Sequence, residues 1–330
     1  MKKLPFCSII VLNYNGKELL KDCFSSLRRI NYPKERYEVI MVDNGSEDNS
    51  IEYVKKNFPW VKILALDKNY GFAEGNNKGI NVAKGEYIVF LNNDTKVDKN
   101  WLIELVKVAS SDEKIGIVGS KVLNFYNPKI IEYAGGYLDI LGSPFHRGLN
   151  EIDKGQYDRI EEVFYVLGSS LLIKRNVLKK LKYCFDPSYF LYFEETDLCW
   201  RVKLLGYKVV YVPSSIVFHK GGVTASKLKE KAIYYLYKNK ILSFKKNLRA
   251  PLRQLILLLV VLRMFLTIIY RMLKREWKYG IYVFKYLFSS VSTDINLQRI
   301  PLKKQLSVLS PPILSKYSQY FSGLKKKNLI

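Results

Sequence analysis

Apolar positions along the first 120 residues switch between two periods. Ser8-Ile-Ile-Val-Leu12 reads as a buried strand, and Lys17–Arg29 follows with Leu19, Leu20, Cys23, Phe24 and Leu27 at helical spacing. The same switching predicts strands over Tyr37–Val42, Val61–Leu66, Glu86–Leu91 and Ile115–Val118, with helices over Asn49–Asn57, Gly71–Lys84 and Trp101–Ser110. Strands alternating with helices imply an α/β architecture, a mostly parallel sheet covered on both faces. From about 120 to 220 the pattern loosens. Tyr126–Asp158 reads as loops and short strands, and Phe164–Ile173 as a strand interrupted at Gly168-Ser-Ser170. Asp197–Leu205 reads as a helix closed by Gly206, and Tyr207–Pro213 as a strand. Lys227–Arg249 is a further helix, halted by Pro251.

Ligands of parallel sheets sit at the carboxyl ends of the strands. Three polar clusters fall there: Asn13-Tyr-Asn-Gly16, Asp43-Asn-Gly-Ser46 and Asn92-Asn-Asp-Thr95. Asp94, just past an apolar strand, suits Mg²⁺ or Mn²⁺ bridging two phosphates, since such cations take oxygen ligands from one or two carboxylates and the substrate. Taken alone, the same residues are more often a plain Asx turn after a strand. Tyr14 beside Asp43 offers an aromatic face and a carboxylate for a base and a ribose hydroxyl, although Asp43 alone is an ordinary turn former. Glu194-Glu195-Thr196-Asp197 puts three carboxylates into four residues, a repulsion that a cation or a helix N-terminus must offset. Helix capping accounts for Thr196 and Asp197. It does not account for the aromatic run Tyr189–Phe193, which can wall a pocket and raise a carboxylate toward general-base use. His219, one of two histidines, precedes Lys220-Gly-Gly222, where glycine allows close approach to a ligand.

Composition narrows the classes. The chain has 330 residues, 48% of them apolar, which excludes a disordered chain. Four scattered cysteines exclude a zinc ribbon or disulfide scaffold and suit a reducing cytosol; the start of the chain shows no cleavable signal pattern. Net charge is +24, and it is uneven: residues 1–220 hold 32 basic and 27 acidic residues, residues 221–330 hold 22 and 3. A basic third suggests nucleic acid or an anionic membrane. Leu255–Leu262 within it is unbroken aliphatic sequence, which a membrane face uses and a nucleic-acid surface does not.

Seven stretches, in order, resemble the family 2 glycosyltransferases of the rhamnosyltransferase-like branch: Ser8–Gly16, Val42–Ser46, Asn69–Asn77, Leu91–Thr95, Gly168–Ser170, Tyr192–Arg201 and His219–Gly222. The resemblance covers roughly residues 5–245 and implies a GT-A fold, a nucleotide-sugar donor (UDP or dTDP), a divalent cation and an inverting single displacement. It implies a catalytic domain over 1–222, nucleotide-binding to about 120 and acceptor-binding beyond, with 223–330 a basic helical extension. Tyr14, Asn15 and Asp43 would hold the nucleoside, and Asn77, Asn92 and Asn93 would lie near the donor. Asn92-Asn-Asp94 stands where the family has Asp-x-Asp, so Asp94 matches the metal-binding second acid while Asn92 replaces the first. His219 matches a histidine that completes the metal site. Glu195 matches the general base, and Asp197 is the acid beside it.

On a helical wheel Arg253, Arg263, Thr267, Arg271, Lys274, Arg275 and Lys278 share one sector of an otherwise apolar segment. This fits a helix lying in the membrane interface with basic side chains reaching head groups. A span over Gln254–Tyr270 competes, but Arg263 at its centre costs roughly 2.5–3.5 kcal/mol. Packing on the catalytic domain or in a dimer is the third reading. Tyr279–Phe288 adds apolar sequence, and Lys325–Lys327 is polybasic. The expectation is an enzyme at the cytoplasmic face of the cell membrane, peripheral or monotopic, acting on a lipid-linked or cell-surface glycan. Its alternative is a non-catalytic membrane-associated nucleotide-sugar-binding protein. A nucleotidyltransferase needs a glycine-rich loop where Asn13-Tyr-Asn-Gly-Lys17 stands, and a nucleic-acid partner is not expected.

Overall fold

The first 120 residues build the parallel half of a sheet. In the computed structural model, which describes residues 4–139, 142, 144–221, 235–236, 238–273, 301, 305 and 307–308, β1 (Cys7–Asn13), α1 (Lys17–Leu27), β2 (Tyr37–Asp43), α2 (Ser50–Asn57), β3 (Lys62–Ala65), α3 (Gly71–Val82) and β4 (Tyr87–Asn92) follow in turn. Strand β1 lies between β2 and β4, parallel to both, and β3 extends the edge. Then come β5 (Thr95–Val97), α4 (Trp101–Ser111), β6 (Ile115–Asn124), β7 (Ile130–Tyr133), β8 (Gly136–Leu138), β9 (Pro144–His146), β10 (Glu151–Ile152) and β11 (Glu161–Glu162). They lead to β12 (Ser170–Lys174), α5 (Arg175–Leu178), α6 (Glu194–Leu204), β13 (Lys208–His219), α7 (238–247) and α8 (Leu252–Leu273).

The sheet is mixed rather than mostly parallel. β12 inserts antiparallel between β4 and β6, and β5 pairs antiparallel with β13. β13 runs parallel to β6 and continues past Pro213, where the expected strand ended. The ladder breaks between Val212 and Ile216, so the missing N–H of Pro213 falls in a bulge and costs no pairing.

Successive residues of each strand feed opposite cores. Ile10, Ile40, Val42, Ile88 and Phe90 face one layer with α3 and α6; Ile9, Val11, Met41, Val89 and Leu91 face the other with α1, α2 and α4. Helix α3 sits close to the sheet because a Cβ on Gly79 would come within 2.8 Å of Ile10 and Val42 side chains. That proximity brings the helix's first turn to the strand ends.

The C-terminal helices belong to the same packing. Ile241, Phe244 and Leu248 of the α7 segment and Leu252, Ile256 and Val260 of α8 lie in the first core layer, with the Phe244 ring edge-on to Trp200 at 5.3 Å. Arg263, although 47% exposed, pairs with Asp139 of the catalytic unit at 3.1 Å, whereas the helical wheel had it reaching lipid head groups. Among the described residues no helix is long and apolar enough to cross a membrane. Gly222, the start of the expected Lys227–Arg249 helix, Tyr279–Phe288 and Lys325–Lys327 lie outside the described residues.

Candidate active site

The carboxyl ends of β1, β2 and β4 meet at Asn13. This fully buried amide donates to Asp43 Oδ2 at 3.1 Å and accepts from Asn93 Nδ2 at 2.8 Å. It ties the nucleoside end of the expected site to the metal end. Asp43, itself buried, also accepts from the Ser46 backbone N–H at 2.9 Å. Asn15 takes a left-handed conformation, φ 48°, its N–H bound to Ser46 Oγ and its side-chain oxygen to the Glu47 N–H. Tyr14 is thereby left 49% exposed at the strand tip, free to present a ring face.

Past β4 the chain turns through Asn92–Thr95, closed by Thr95 Oγ1 donating to the Asn92 carbonyl at 2.6 Å. Thr95 then pairs with His219 across β5 and β13, and the Lys220 N–H binds the Asp94 carbonyl at 3.0 Å. Two residues 125 apart in sequence become neighbours: His219 Nε2 lies 3.3 Å from Asp94 Oδ1. Its Nδ1 lies 2.8 Å from Glu132 Oε2, and Asn124 Nδ2 holds the other Glu132 oxygen at 3.0 Å. Burial lowers the His219 pKa, but the two carboxylates outweigh burial and push it up to about 10. The imidazole is therefore a cation between Asp94 and Glu132.

These residues fit a divalent cation. Asp94 Oδ1 is buried, and beyond its ion pair to His219 Nε2 at 3.3 Å it has no hydrogen-bond partner among the described residues. With the His219 imidazole nitrogen, held from behind by Glu132, it makes a donor pair that fits Mg²⁺ or Mn²⁺. Among the described residues no cluster offers three protein ligands, so diphosphate oxygens would complete the shell. Loading would displace the Nε2 proton while Glu132 keeps the one on Nδ1.

Glu195, the expected base, lies across the β4–β12 junction. The Asn92 N–H binds the Ser169 carbonyl at 3.2 Å, and a Cβ on Gly168 would sit 3.9 Å from the Glu195 Cβ. Gly168 also faces Phe72 at 3.0 Å, so a larger residue would fill the space between the metal strand and the base. Glu194 and Glu195 open α6, whose free N–H groups favour carboxylates. One oxygen of each, Oε2, is buried without a partner. Burial pushes Glu195 up to about 7 against backbone hydrogen bonds that lower it. Glu194 is raised further, by burial and by Glu195 beside it.

The helix is aimed by strain. Tyr192 and Phe193 both have positive φ, 69° and 72°, a conformation costing of order 1–3 kcal/mol per non-glycine residue. Asn239 of α7 holds them there: its Nδ2 donates to the Leu191 carbonyl at 2.8 Å and the Tyr192 carbonyl at 2.7 Å.

Two expected site residues are placed elsewhere. Asp197 does not face the cleft beside Glu195. It is fully buried, bound to Arg201 at 2.7 Å, Lys246 at 3.2 Å and Asn247 at 2.8 Å. Burial raises its pKa, but the two cations and the amide prevail and hold it below the usual carboxylate range. Asn77 does not reach the strand ends either. Its amide clamps both main-chain groups of Phe185, N–H at 3.0 Å and carbonyl at 2.6 Å. Conversely, Glu132, Asn13 and Ser169, whose buried Oγ has no partner, join the site. Asn13 carried a signal in its strand-end position; Glu132, in a stretch without clear periodicity, carried none.

The architecture is that of GT-A glycosyltransferases. A mannosyltransferase from Pyrobaculum calidifontis, solved with GDP-Man and Mn²⁺, matches with a TM-score of 0.55 at 16% identity, covering 87% of this chain and 88% of that one. GalNAc-T7, solved with UDP, GalNAc and Mn²⁺, matches with a TM-score of 0.56 at 19% identity over 73% of this chain and 51% of the other. Residues 8–182, more than half of the sequence, match glycosyl transferase family 2, and the chain belongs to that family. It is a glycosyltransferase. Among relatives, an uncharacterised glycosyltransferase of Haemophilus influenzae is 27% identical over 73% of this chain and 77% of its own length. Glycosyltransferase AglE of Haloferax volcanii is 33% identical over 36% of this chain; the match spans 40% of that protein.

Proposed function

We propose that this glycosyltransferase moves a sugar from a UDP- or dTDP-linked donor to a hydroxyl of a lipid-linked or cell-surface glycan, inverting the anomeric carbon. The order of its motifs is what supports a place in the rhamnosyltransferase-like branch. The observation that carries the mechanism is Glu195: a half-buried carboxyl at a helix N-terminus, one oxygen bare, raised toward neutrality by burial. A group so tuned can take a proton from a hydroxyl and be ready again near pH 7. Tyr14 stacks on the base and Asp43 accepts from the nucleoside, while Asn13 holds Asp43 and Asn93 in register. As the acceptor oxygen bonds to C1, its proton passes to Glu195 and the bond from C1 to the diphosphate breaks on the opposite face. One displacement inverts the centre. Asp94 and His219 are the residues that would hold a divalent cation, whose contribution is to neutralise the departing diphosphate.

Calorimetric titration of UDP, dTDP and GDP into the full chain, with and without Mn²⁺, tests the donor site. UDP or dTDP binding that needs Mn²⁺ and disappears in Asp94→Ala is expected. Binding of GDP alone overturns the assigned nucleotides, and Mn²⁺-dependent binding that survives Asp94→Ala overturns the assigned metal site.

A further inference from the structure

Helix α8 has two apolar faces, and the catalytic unit covers only one. Leu252, Ile256 and Val260 are buried in its core, whereas Leu255, Leu258, Leu262, Phe265, Leu266 and Ile269 are each 40–65% exposed. At ~100° per residue those six fall within an arc of roughly 120°. A continuous stripe of large aliphatic side chains on the outside of a helix marks an interaction surface rather than scattered surface leucines.

We propose that this outward face of α8 docks on an anionic lipid bilayer. Charge selects the occupant. The third of the chain that carries α8 has 22 basic and 3 acidic residues. A second copy of so basic a region would be repelled, whereas anionic head groups attract it while the stripe enters the acyl boundary. The cytoplasmic leaflet, with its anionic lipid, is a surface of this kind. The helix lies along the surface and does not span, because its inner face is spent in the protein core and Arg263, midway along, is paired with Asp139. Docking would be felt at the site: α7 and α8 share one core with α6, and α7 holds the carbonyls that precede Glu195.

Co-sedimentation of the full chain with vesicles of phosphatidylcholine, alone or mixed with phosphatidylglycerol, tests the surface, using Leu258→Gln/Leu262→Gln/Leu266→Gln as the variant. All three leucines are exposed, so the variant should melt as wild type does, and the melting curve checks this. Wild type should favour mixed over neutral vesicles at least about tenfold, and the variant should lose at least about tenfold of that binding, since burying leucine side chains in the acyl boundary supplies the apolar part of the affinity. Absence of vesicle binding overturns the proposal. Binding unaltered in the variant also overturns it, assigning attachment to basic residues alone. A wild-type dimer that becomes monomeric in the variant by light scattering gives the stripe to a second copy. None of these outcomes bears on donor binding, which the nucleotide titrations read at the strand ends.

Discussion

At the scale of single residues, the site runs on a few groups whose neighbours set their protonation. Glu195 must be ionised to accept a proton, and burial places that ionisation at about 7. The rate constant kcat/KM, which reports the free enzyme, should therefore rise through pH 7 and level above it, and the rising limb should move when burial is relieved by Phe72→Ala. Phe72 is a neighbour of Gly168, which faces Glu195. Glu132 does its work through His219. Removing it as Glu132→Ala frees the ring to turn and lowers the basicity of Nε2. Mn²⁺ affinity, measured calorimetrically in the presence of UDP, should fall ~10–100-fold, with Glu132→Gln falling less because an amide oxygen still holds Nδ1. Sequence spacing indicated Asp94, His219 and Glu195 because each stands at a strand end or a helix start. It misdirected Asp197, since an acid in a first helical turn can face the cleft or the core, and only the cations on α6 and α7 decide which. It could not indicate Glu132, whose partner is 87 residues away.

At the scale of elements, the alternation of strands and helices was legible wherever both periods were long enough to register. β1, β2 and β4 fall close to their expected bounds. β5 did not register, because three residues after a polar turn have no period, yet it is the strand that brings His219 to Asp94. The start of α6 was expected at Asp197, three residues later than it lies, although the acids that open it were already read as belonging to a helix N-terminus. Helix α7 is the element whose function sequence least suggested. It supplies Lys246 and Asn247 to the buried Asp197, so the network fastens it to α6. Asp197→Ala strands Arg201 in the core and should cost ~3–5 kcal/mol in urea unfolding. Donor affinity per folded molecule should remain within a few-fold of wild type, which a residue acting in the chemistry cleft would not allow.

At the scale of the whole molecule, one sheet divides two tasks. Its parallel strand ends gather Tyr14, Asp43 and Asp94, the residues proposed for a nucleotide diphosphate, and the turn leading into its antiparallel insert β12 brings Gly168 beside Glu195, the proposed base on α6. The fold class followed from the sequence because buried strands and amphipathic helices leave independent marks. The strand that becomes β12 was legible over Phe164–Ile173, but its antiparallel direction was not, since pairing direction is fixed by partners far along the chain. Beyond the sheet, the described parts of α7 and α8 pack into the same core as α6, so the proposed docking face and the proposed base share a frame. The central claim is that Glu195 takes the acceptor proton at a site whose donor end it does not touch. Its most direct test is the rate of nucleotide release from the bound UDP- or dTDP-sugar in Glu195→Gln, with donor affinity measured in parallel. A loss of ~10²–10⁴-fold in rate at unchanged donor affinity is predicted; a rate within about tenfold of wild type would contradict it.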